Sequence, residues 1–268
     1  MQVNTPSNII NHSNKYTNMI IGPTFIYICP SCGVYVSTGS MASGNTFGAI
    51  LYSDGKTIAP MMGIYPDLTK CLKCDAIFWL SKLSVVGIVD LDKSLYDPSF
   101  LETFYDTSYE ESDFLLRCCA CFLDSKDCFR ALSLGVAETK EEELTIRRDI
   151  WWGYNDRVRV NKDKFEDLEQ TVRYMLWEVF YDRKNKKGIF DDKADELRWK
   201  GNLERMRNLL DTSDTNQSVM LAEIHRNLGD FEGCVNIINS INDDKVDRLK
   251  ERIIKECELK NKWVVRLN

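Results

Sequence analysis

The sequence has only two histidines among its 268 residues and no surplus of positive charge. Because histidine is the usual side chain for proton transfer near neutral pH, the isolated His12 and His225 make a His-based catalytic pair a poor fit. The formal net charge is -6, whereas a protein that grips a phosphate backbone usually carries a basic surplus. The composition therefore disfavours a protein whose main task is binding DNA or RNA.

Long apolar runs are also missing, and no stretch approaches the roughly 20 residues that a membrane span needs. Residues 1–18 are rich in Asn, Ser and Thr and lack the charged start and apolar middle of a secretion signal. We predict that they form a flexible tail. Ten cysteines in such a chain are expected to be thiols and metal ligands in a reducing cytoplasm, and not disulfides.

Four of these cysteines form two Cys-x-x-Cys motifs, Cys29 with Cys32 and Cys71 with Cys74. Two intervening residues let both sulfurs of a pair face one ion, and Gly33 relieves the positive φ expected just after the first pair. Four thiolates close the coordination sphere, whereas a catalytic zinc keeps one position for water. The motifs predict one structural zinc ion; the alternative is two pairs of reduced thiols that merely lie near each other.

Strand-like sequence flanks both motifs, at residues 24–28, 76–80 and 85–89. This arrangement resembles a zinc ribbon, in which two β-hairpin tips hold one ion. The spacer of 38 residues between Cys32 and Cys71 is longer than usual and is punctuated by glycines. It predicts an inserted hairpin or loop within a zinc-ribbon-like module that spans residues 19–96.

From residue 97 the sequence changes to helix-period segments, among them 110–123, 126–137, 140–160, 165–183 and 194–210. The predicted fold class is α+β, mainly α: a small β module followed by an all-α domain over residues 97–268. Within it, Cys118, Cys121 and Cys128 are expected on one buried helix stripe. No second metal site is predicted from them.

The clearest helical pattern surrounds Gly229 and resembles one tetratricopeptide repeat (TPR), with Ala222 and Cys234 as the small residues of two helices. These three residues are expected to be buried where the two helices cross. The consensus Trp and the closing Pro are absent, and neighbouring helices lack the pattern, so a plain helical bundle is the open alternative.

A genuine repeat would present a concave face for a partner, and solvated helix charges would look the same in sequence. By position, this face would carry Asn216, Glu223, Arg226 and Asn227.

A second candidate surface lies on the helix predicted over residues 143–159, which joins large aromatics to Arg and Asn. Trp152, Asn155 and Arg159 share one face of it and could form a docking surface, against the zinc module among other partners. The alternative is intramolecular packing with satisfied ion pairs.

As a whole, the chain resembles a family of uncharacterised bacterial proteins that join an N-terminal Cys-x-x-Cys zinc module to a C-terminal TPR-like region. The resemblance implies this architecture and no activity. It rests on the Cys29 and Cys71 motifs, on residues 41–48, 59–62 and 150–157, and on the repeat around Gly229.

The sequence contains neither a phosphate-binding glycine loop nor a Gly-x-Ser-x-Gly motif, so we do not expect an enzyme. The leading hypothesis is a cytoplasmic interaction or adaptor protein that holds a protein or peptide. The alternative is a nucleic-acid-associated zinc-ribbon factor, although the ribbon offers few cations, Lys56, Lys70, Lys73 and Lys82 among them. The identity of the partner and the oligomeric state do not follow from the residues.

Overall fold

A computed structural model of the chain describes residues 20–89, 119–159 and 189–268. Within these ranges the fold is α+β, with small antiparallel sheets in the N-terminal part and six α-helices after them, which confirms the predicted class. The predicted tail, both module boundaries, Cys118 and the helix over residues 165–183 lie outside the described residues. The strands are β1 (Ile20–Ile28), β2 (Tyr35–Ser43), β3 (Ile50–Leu51), β4 (Thr57–Ile58), β5 (Leu68–Lys70), β6 (Ile77–Trp79) and β7 (Gly87–Val89). The helices are α1 (Ser125–Ser133), α2 (Lys140–Arg159), α3 (Lys193–Leu209), α4 (Thr215–Leu228), α5 (Phe231–Ser240) and α6 (Asp247–Glu258).

The largest sheet has the order β2-β1-β7, and both pairings are antiparallel. Its β1–β2 hairpin carries the first Cys-x-x-Cys motif at the tip, and the separate β5–β6 hairpin carries the second. The spacer between the motifs contains the short β3–β4 hairpin, which confirms the predicted insertion. The β1–β2 and β5–β6 hairpins therefore present the two Cys-x-x-Cys turns, and the β3–β4 hairpin is separate from both.

Residues 119–124 follow an extended path, so the helix predicted over residues 110–123 is wrong in its described part. The amide of Ala120 donates to the carbonyl of Ser37 at the edge of β2, and the amide of Cys121 donates to Thr69 Oγ1 at 2.9 Å. These partners satisfy an extended backbone, and Asp124 then caps α1 by accepting from the amide of Asp127. Cys121 and Cys128 consequently do not share a helix stripe.

The helices pack in succession, each against the next from α1 to α6. Asp192, Asp214 and Asp230 cap α3, α4 and α5 in the same way as Asp124 caps α1, because each side chain accepts from a first-turn amide. Helix α4 ends at Gly229, whose φ of 87° is the left-handed conformation that favours glycine. Local sequence thus sets where these helices begin and where α4 ends.

The main hydrophobic core is shared between the two halves of the chain. Leu68, Ile77 and Trp79 of the second hairpin pack with Trp151 and Trp199 of the helices. The indole Nε1 of Trp79 also donates to the carbonyl of Val136 at 3.1 Å. The second hairpin is therefore part of the helical core.

A second core lies between α4, α5 and α6. Ala222 and Cys234 are fully buried where α4 and α5 cross, as predicted, and they pack with Ile238, Ile253 and Cys257. Gly229 is exposed at the turn, so its predicted burial is wrong: its role is to end the helix, and the turn needs no packing there. The helical hairpin is confirmed, whereas its identity as a TPR stays a prediction.

Candidate functional site: a cysteine cluster and a buried polar junction

Four thiol groups converge where the tips of the β1–β2 and β5–β6 hairpins meet. The Sγ atoms of Cys29, Cys32, Cys71 and Cys74 all lie within 4.8 Å of one another. The Sγ–Sγ distance is 3.7 Å from Cys29 to Cys74 and 3.6 Å from Cys32 to Cys71. A tetrahedral ion with Zn–S bonds of about 2.3 Å places its sulfurs about 3.8 Å apart. The donor set and its spacing therefore fit a metal ion such as zinc, and all four predicted ligands come together.

The two turns that present these thiols are built alike. In each, the amide of the first cysteine donates to the carbonyl five residues later at 2.8 Å. Gly33 has the expected positive φ of 73°, and Asp75 occupies the equivalent place in the second turn with a φ of 62°. Asp is one of the few non-glycine residues that adopt this conformation readily. The second turn thus repeats the first without a glycine.

The thiols differ in how readily they ionise. Burial, above all, raises the pKa of Cys29. A hydrogen bond from the amide of Ala76 lowers the pKa of Cys74 to about 6. The amide of Val34 also favours the Cys32 thiolate, but desolvation and the neighbouring thiols outweigh it and raise the pKa of Cys32 to about 12. Several adjacent thiolates repel one another, so a bound divalent cation would be needed to stabilise four.

Ion pairs connect the second turn to α1. Lys70 Nζ lies 2.5 Å from an oxygen of Asp127 and 4.0 Å from one of Asp75. The guanidinium of Arg130 contacts Asp75 as well, and this hydrogen bond is the largest cause of the lowered pKa of Asp75. Lys70 and Arg130, two cations beside the cluster, are therefore paired with carboxylates, whereas Lys73 is exposed.

A second buried site, the polar junction, is formed by Ser53, Asp54, Asn155, Arg159, Glu223 and Arg226. Its centre is the turn between β3 and β4, where Gly55 takes a φ of 76° and its amide donates to the carbonyl of Tyr52 at 3.0 Å. The turn carries Ser53 and Asp54 into the helical core, where they are 1% and 2% exposed. The inserted hairpin is thus anchored by its polar tip.

Helix α2 binds the Asp54 half of the junction. Asn155 Nδ2 donates to Asp54 Oδ2 at 2.7 Å, and the guanidinium of Arg159 contacts the same oxygen. Trp152 Nε1 donates to the carbonyl of Asp54 at 3.1 Å. Arg159 also pairs with Asp156 of its own helix. A single aspartate of the zinc module therefore accepts from three side chains of α2.

Helix α4 binds the Ser53 half. The hydroxyl of Ser53 donates to Glu223 Oε1 at 2.6 Å and accepts from Arg226 Nη2 at 3.2 Å. Arg226 Nε donates to Glu223 Oε2 at 2.8 Å, and its guanidinium contacts the carbonyl of Asn261. Ser53 further exchanges hydrogen bonds with the backbone of Val265 near the C-terminus. This half therefore joins three distant parts of the chain.

These contacts decide where the predicted partner-binding residues lie. Glu223, Arg226 and Asn227 are fully buried, so the prediction that they project from an open face is wrong. Asn227 instead accepts from Trp151 Nε1 at 2.6 Å and donates to the carbonyl of Lys262. Asn216, at the start of α4, is exposed. The polar groups are buried because the inserted hairpin and the C-terminal segment cover this side of α4.

On α2, Trp152, Asn155 and Arg159 do share one face and do dock, against the inserted hairpin of the zinc module. The intramolecular interpretation with satisfied ion pairs is the one that the structure supports. Their acceptor, Asp54, was not identified from the sequence, although the spacer pattern predicted a hairpin or loop. An aspartate in a turn gives no signal of burial, since turn aspartates are usually exposed.

Comparison of the chain with protein-family models, with curated proteins and with solved structures found no match. The resemblance to a bacterial protein family therefore stays a prediction that rests on the motifs alone. Across residues 20–89, 119–159 and 189–268, no helix combines the length and apolarity needed to cross a membrane.

Proposed function

We propose that the protein is a zinc-stabilised interaction protein of the cytoplasm that binds a protein partner and has no catalytic role. The observation that carries this proposal is the four-cysteine cluster, whose sulfurs all lie within 4.8 Å of one another, with two of the distances at 3.6 and 3.7 Å. Four thiolates fill the coordination sphere of zinc and leave no position for a reacting water. An ion held in this way stabilises structure, because it ties the two hairpin tips together.

The nine cysteines in the described residues are free thiols, and a reducing compartment would keep cysteines in this state. A tetrathiolate site accepts zinc or an iron–sulfur centre, and the predicted occupant is one zinc ion per chain. When bound, the ion supplies charge neutralisation for thiolates that otherwise repel one another. Cys29 and Cys71, each 1% exposed, would hold it at the inner side of the cluster.

The helical half consists of stacked helical hairpins, an arrangement suited to supporting a bound protein partner. Helices α4, α5 and α6 pack in order around one shared core, as the helices of a TPR array do. Glu223 and Arg226 are buried, so the face of α4 on which they lie is not accessible to a partner. The TPR-like identity of this region is part of the proposal.

A protein partner is favoured over DNA or RNA by the charges and the apolar surface of the zinc module. Lys56, Lys70 and Lys82 are each in ion pairs with carboxylates, which reduces the positive potential that a phosphate backbone would meet. Beside the cysteines, Ile28 is 41% exposed and Leu72 is 60% exposed. Exposed apolar side chains on a rigid turn are suited to contact with another protein.

The experiment compares Leu72→Ser with Leu197→Ser, a matched control on α3 whose side chain is 58% exposed. Both variants should keep the zinc content and the Tm of the wild type. A partner isolated with the zinc-loaded protein and then purified should bind the control as tightly as the wild type and lose affinity for Leu72→Ser. Equal binding by both variants would contradict the proposed surface.

The nucleic-acid alternative is tested in the same preparation. DNA or RNA that binds at about 50 mM salt and dissociates steeply as salt is raised would replace the proposal, since such binding releases counterions. No binding under this favourable condition is the expected result.

A further inference from the structure

A cavity of about 950 Å³ lies between α2 and residues 55–68 of the zinc module. Much of its wall is apolar, with Ile58, Met62, Ile64, Trp79 and Phe122 among the side chains that face it. Protein sites for small molecules usually have volumes of about 300–1,000 Å³ and combine apolar walls with a few polar groups. Both the size and the lining therefore suit a small organic molecule.

Two adjacent residues of α2, Arg148 and Asp149, line this cavity with opposite charges and are not within ion-pair distance of each other. Asp149 forms no hydrogen bond or ion pair with the described residues, although the charges of Arg148 and Lys56 act on it electrostatically. The buried Nε of Arg148 has no acceptor within the described residues. The guanidinium of Arg148 lies 4.8 Å from the ring centroid of Trp152. Since Trp152 is fixed by its hydrogen bond to Asp54, this stacking orients the guanidinium beside the cavity.

Several other charged groups of the cavity wall have partners, whereas Glu141 lies exposed at its edge. Asp156 is paired with Lys56 at 2.7 Å and with Arg159, and Glu142 is paired with Lys82 at 2.8 Å. Burial raises the pKa of Asp149 to about 6, and the nearby charges of Arg148 and Lys56 offset this effect only in part. A group in this environment is stabilised by an incoming cation. Arg148, by the same argument, is stabilised by an incoming anion.

We propose that the cavity binds a small zwitterion with a large apolar side chain, of the class of the apolar α-amino acids. Asp149 holds its ammonium group, Arg148 holds its carboxylate, and the apolar wall takes the side chain. A ligand with only one charge would leave the other protein group unpaired, and this loss is the physical basis of the selectivity. The site is additional to the proposed partner surface at Leu72 and does not depend on it.

The test is calorimetric titration of the full chain with two matched series. The first is L-tryptophan, tryptamine and indole-3-propionate; the second is L-leucine, isopentylamine and 4-methylpentanoate. In at least one series, the amino acid should bind about tenfold more tightly, or better, than the amine and the acid that each lack one charge. Failure of both amino acids to bind more tightly than both of their analogues overturns the proposal, and this comparison needs no variant.

Two substitutions then assign the charges. Asp149→Asn should remove the advantage of the amino acid over the acid, and Arg148→Gln should remove its advantage over the amine. Arg147→Gln is the matched control, because Arg147 pairs with Glu143 and does not line the cavity. The assignment would be overturned if all three variants lost affinity for the amino acid by the same factor. It would also be overturned if, within each variant, the amine and the acid lost affinity equally, because neither charge would then be recognised.

Discussion

The cysteine cluster and the polar junction both hold the N-terminal hairpins in place, but they do so by different chemistry and over different sequence distances. The cluster joins two local turns through four identical ligands, with each pair separated by two residues. The junction joins Ser53 and Asp54 to side chains that are 101 to 173 residues away. The first arrangement can be recognised from spacing, whereas the second exists only after the chain has folded.

The energetics of the two sites also differ. A structural zinc ion can contribute on the order of 10 kcal/mol to folding, because its ligands are not assembled in the unfolded chain. In the junction, Glu223 and Arg226 are removed from water, and this desolvation offsets much of their attraction. Loss of the ion and loss of one junction partner should therefore both destabilise the protein, but by different mechanisms.

The largest expected effect is that of Cys71→Ser. The variant should bind far less than one zinc per chain and lose several kcal/mol of unfolding free energy, because the coordination sphere is broken. Zinc analysis and thermal unfolding measure both quantities. Cys119→Ser is the control, since Cys119 is exposed and is not among the clustered thiols. A Cys71→Ser protein with full zinc content and wild-type Tm would show that the cysteine cluster does not hold a stabilising zinc ion.

The second effect concerns the junction. Arg226→Met should cost about 3–5 kcal/mol, because it leaves the carboxylate of Glu223 buried without its guanidinium. Adding Glu223→Leu should recover part of this loss, since no buried charge is then left unpaired. Denaturant unfolding checks both variants, with Asn216→Ala on the exposed part of α4 expected within about 0.5 kcal/mol of wild type. Wild-type stability of Arg226→Met would mean that the junction is not a buried anchor.

A smaller effect separates two glycines of the helical half. Gly229→Ala should destabilise by about 1–2 kcal/mol, because alanine is strained at a φ of 87°. Gly201→Ala, in the exposed interior of α3 with open space around it, should instead stabilise by about 0.5–1 kcal/mol. Unfolding curves give both values. The same sign for both substitutions would contradict the helix-ending role of Gly229.

The smallest effect is a pH dependence on the surface of α2 and α3. A hydrogen bond from Arg205, supported by Arg147, lowers the pKa of Glu143 to about 2. A carboxylate with a lowered pKa contributes stability above its unfolded pKa of about 4.3, and this contribution is lost as pH falls towards 2. Glu143→Gln should therefore lose stability at neutral pH and show a shallower decline between about pH 5 and 2. An unchanged decline would show that the interaction of Glu143 with Arg205 and Arg147 contributes nothing measurable to stability.

The sequence predicted well those features that depend on neighbouring residues. The two Cys-x-x-Cys turns, the positive φ at Gly33 and the burial of Ala222 and Cys234 all follow from short patterns, and the structure confirms them. The turn at Gly229 also follows from a local pattern, because the residue that ends α4 acts within one turn of the chain.

Features that depend on distant residues could not be predicted in the same way. Glu223 and Arg226 look like exposed helix charges, and only the covering hairpin and the Ser53 hydroxyl make them a buried pair. Residues 119–123 have apolar and small residues in a helix-compatible order, yet Ser37 and Thr69 provide partners for an extended backbone. Tertiary hydrogen bonds overrode local preference at both places.

The central claim is that one zinc ion joins the two hairpin tips through four thiolates. X-ray absorption at the zinc edge of the purified chain tests it most directly. The expected result is one zinc per chain with four sulfur neighbours at about 2.3 Å and no oxygen or nitrogen ligand. A chain prepared without chelator that contains no zinc, or zinc with a water or other light-atom ligand, would contradict the claim.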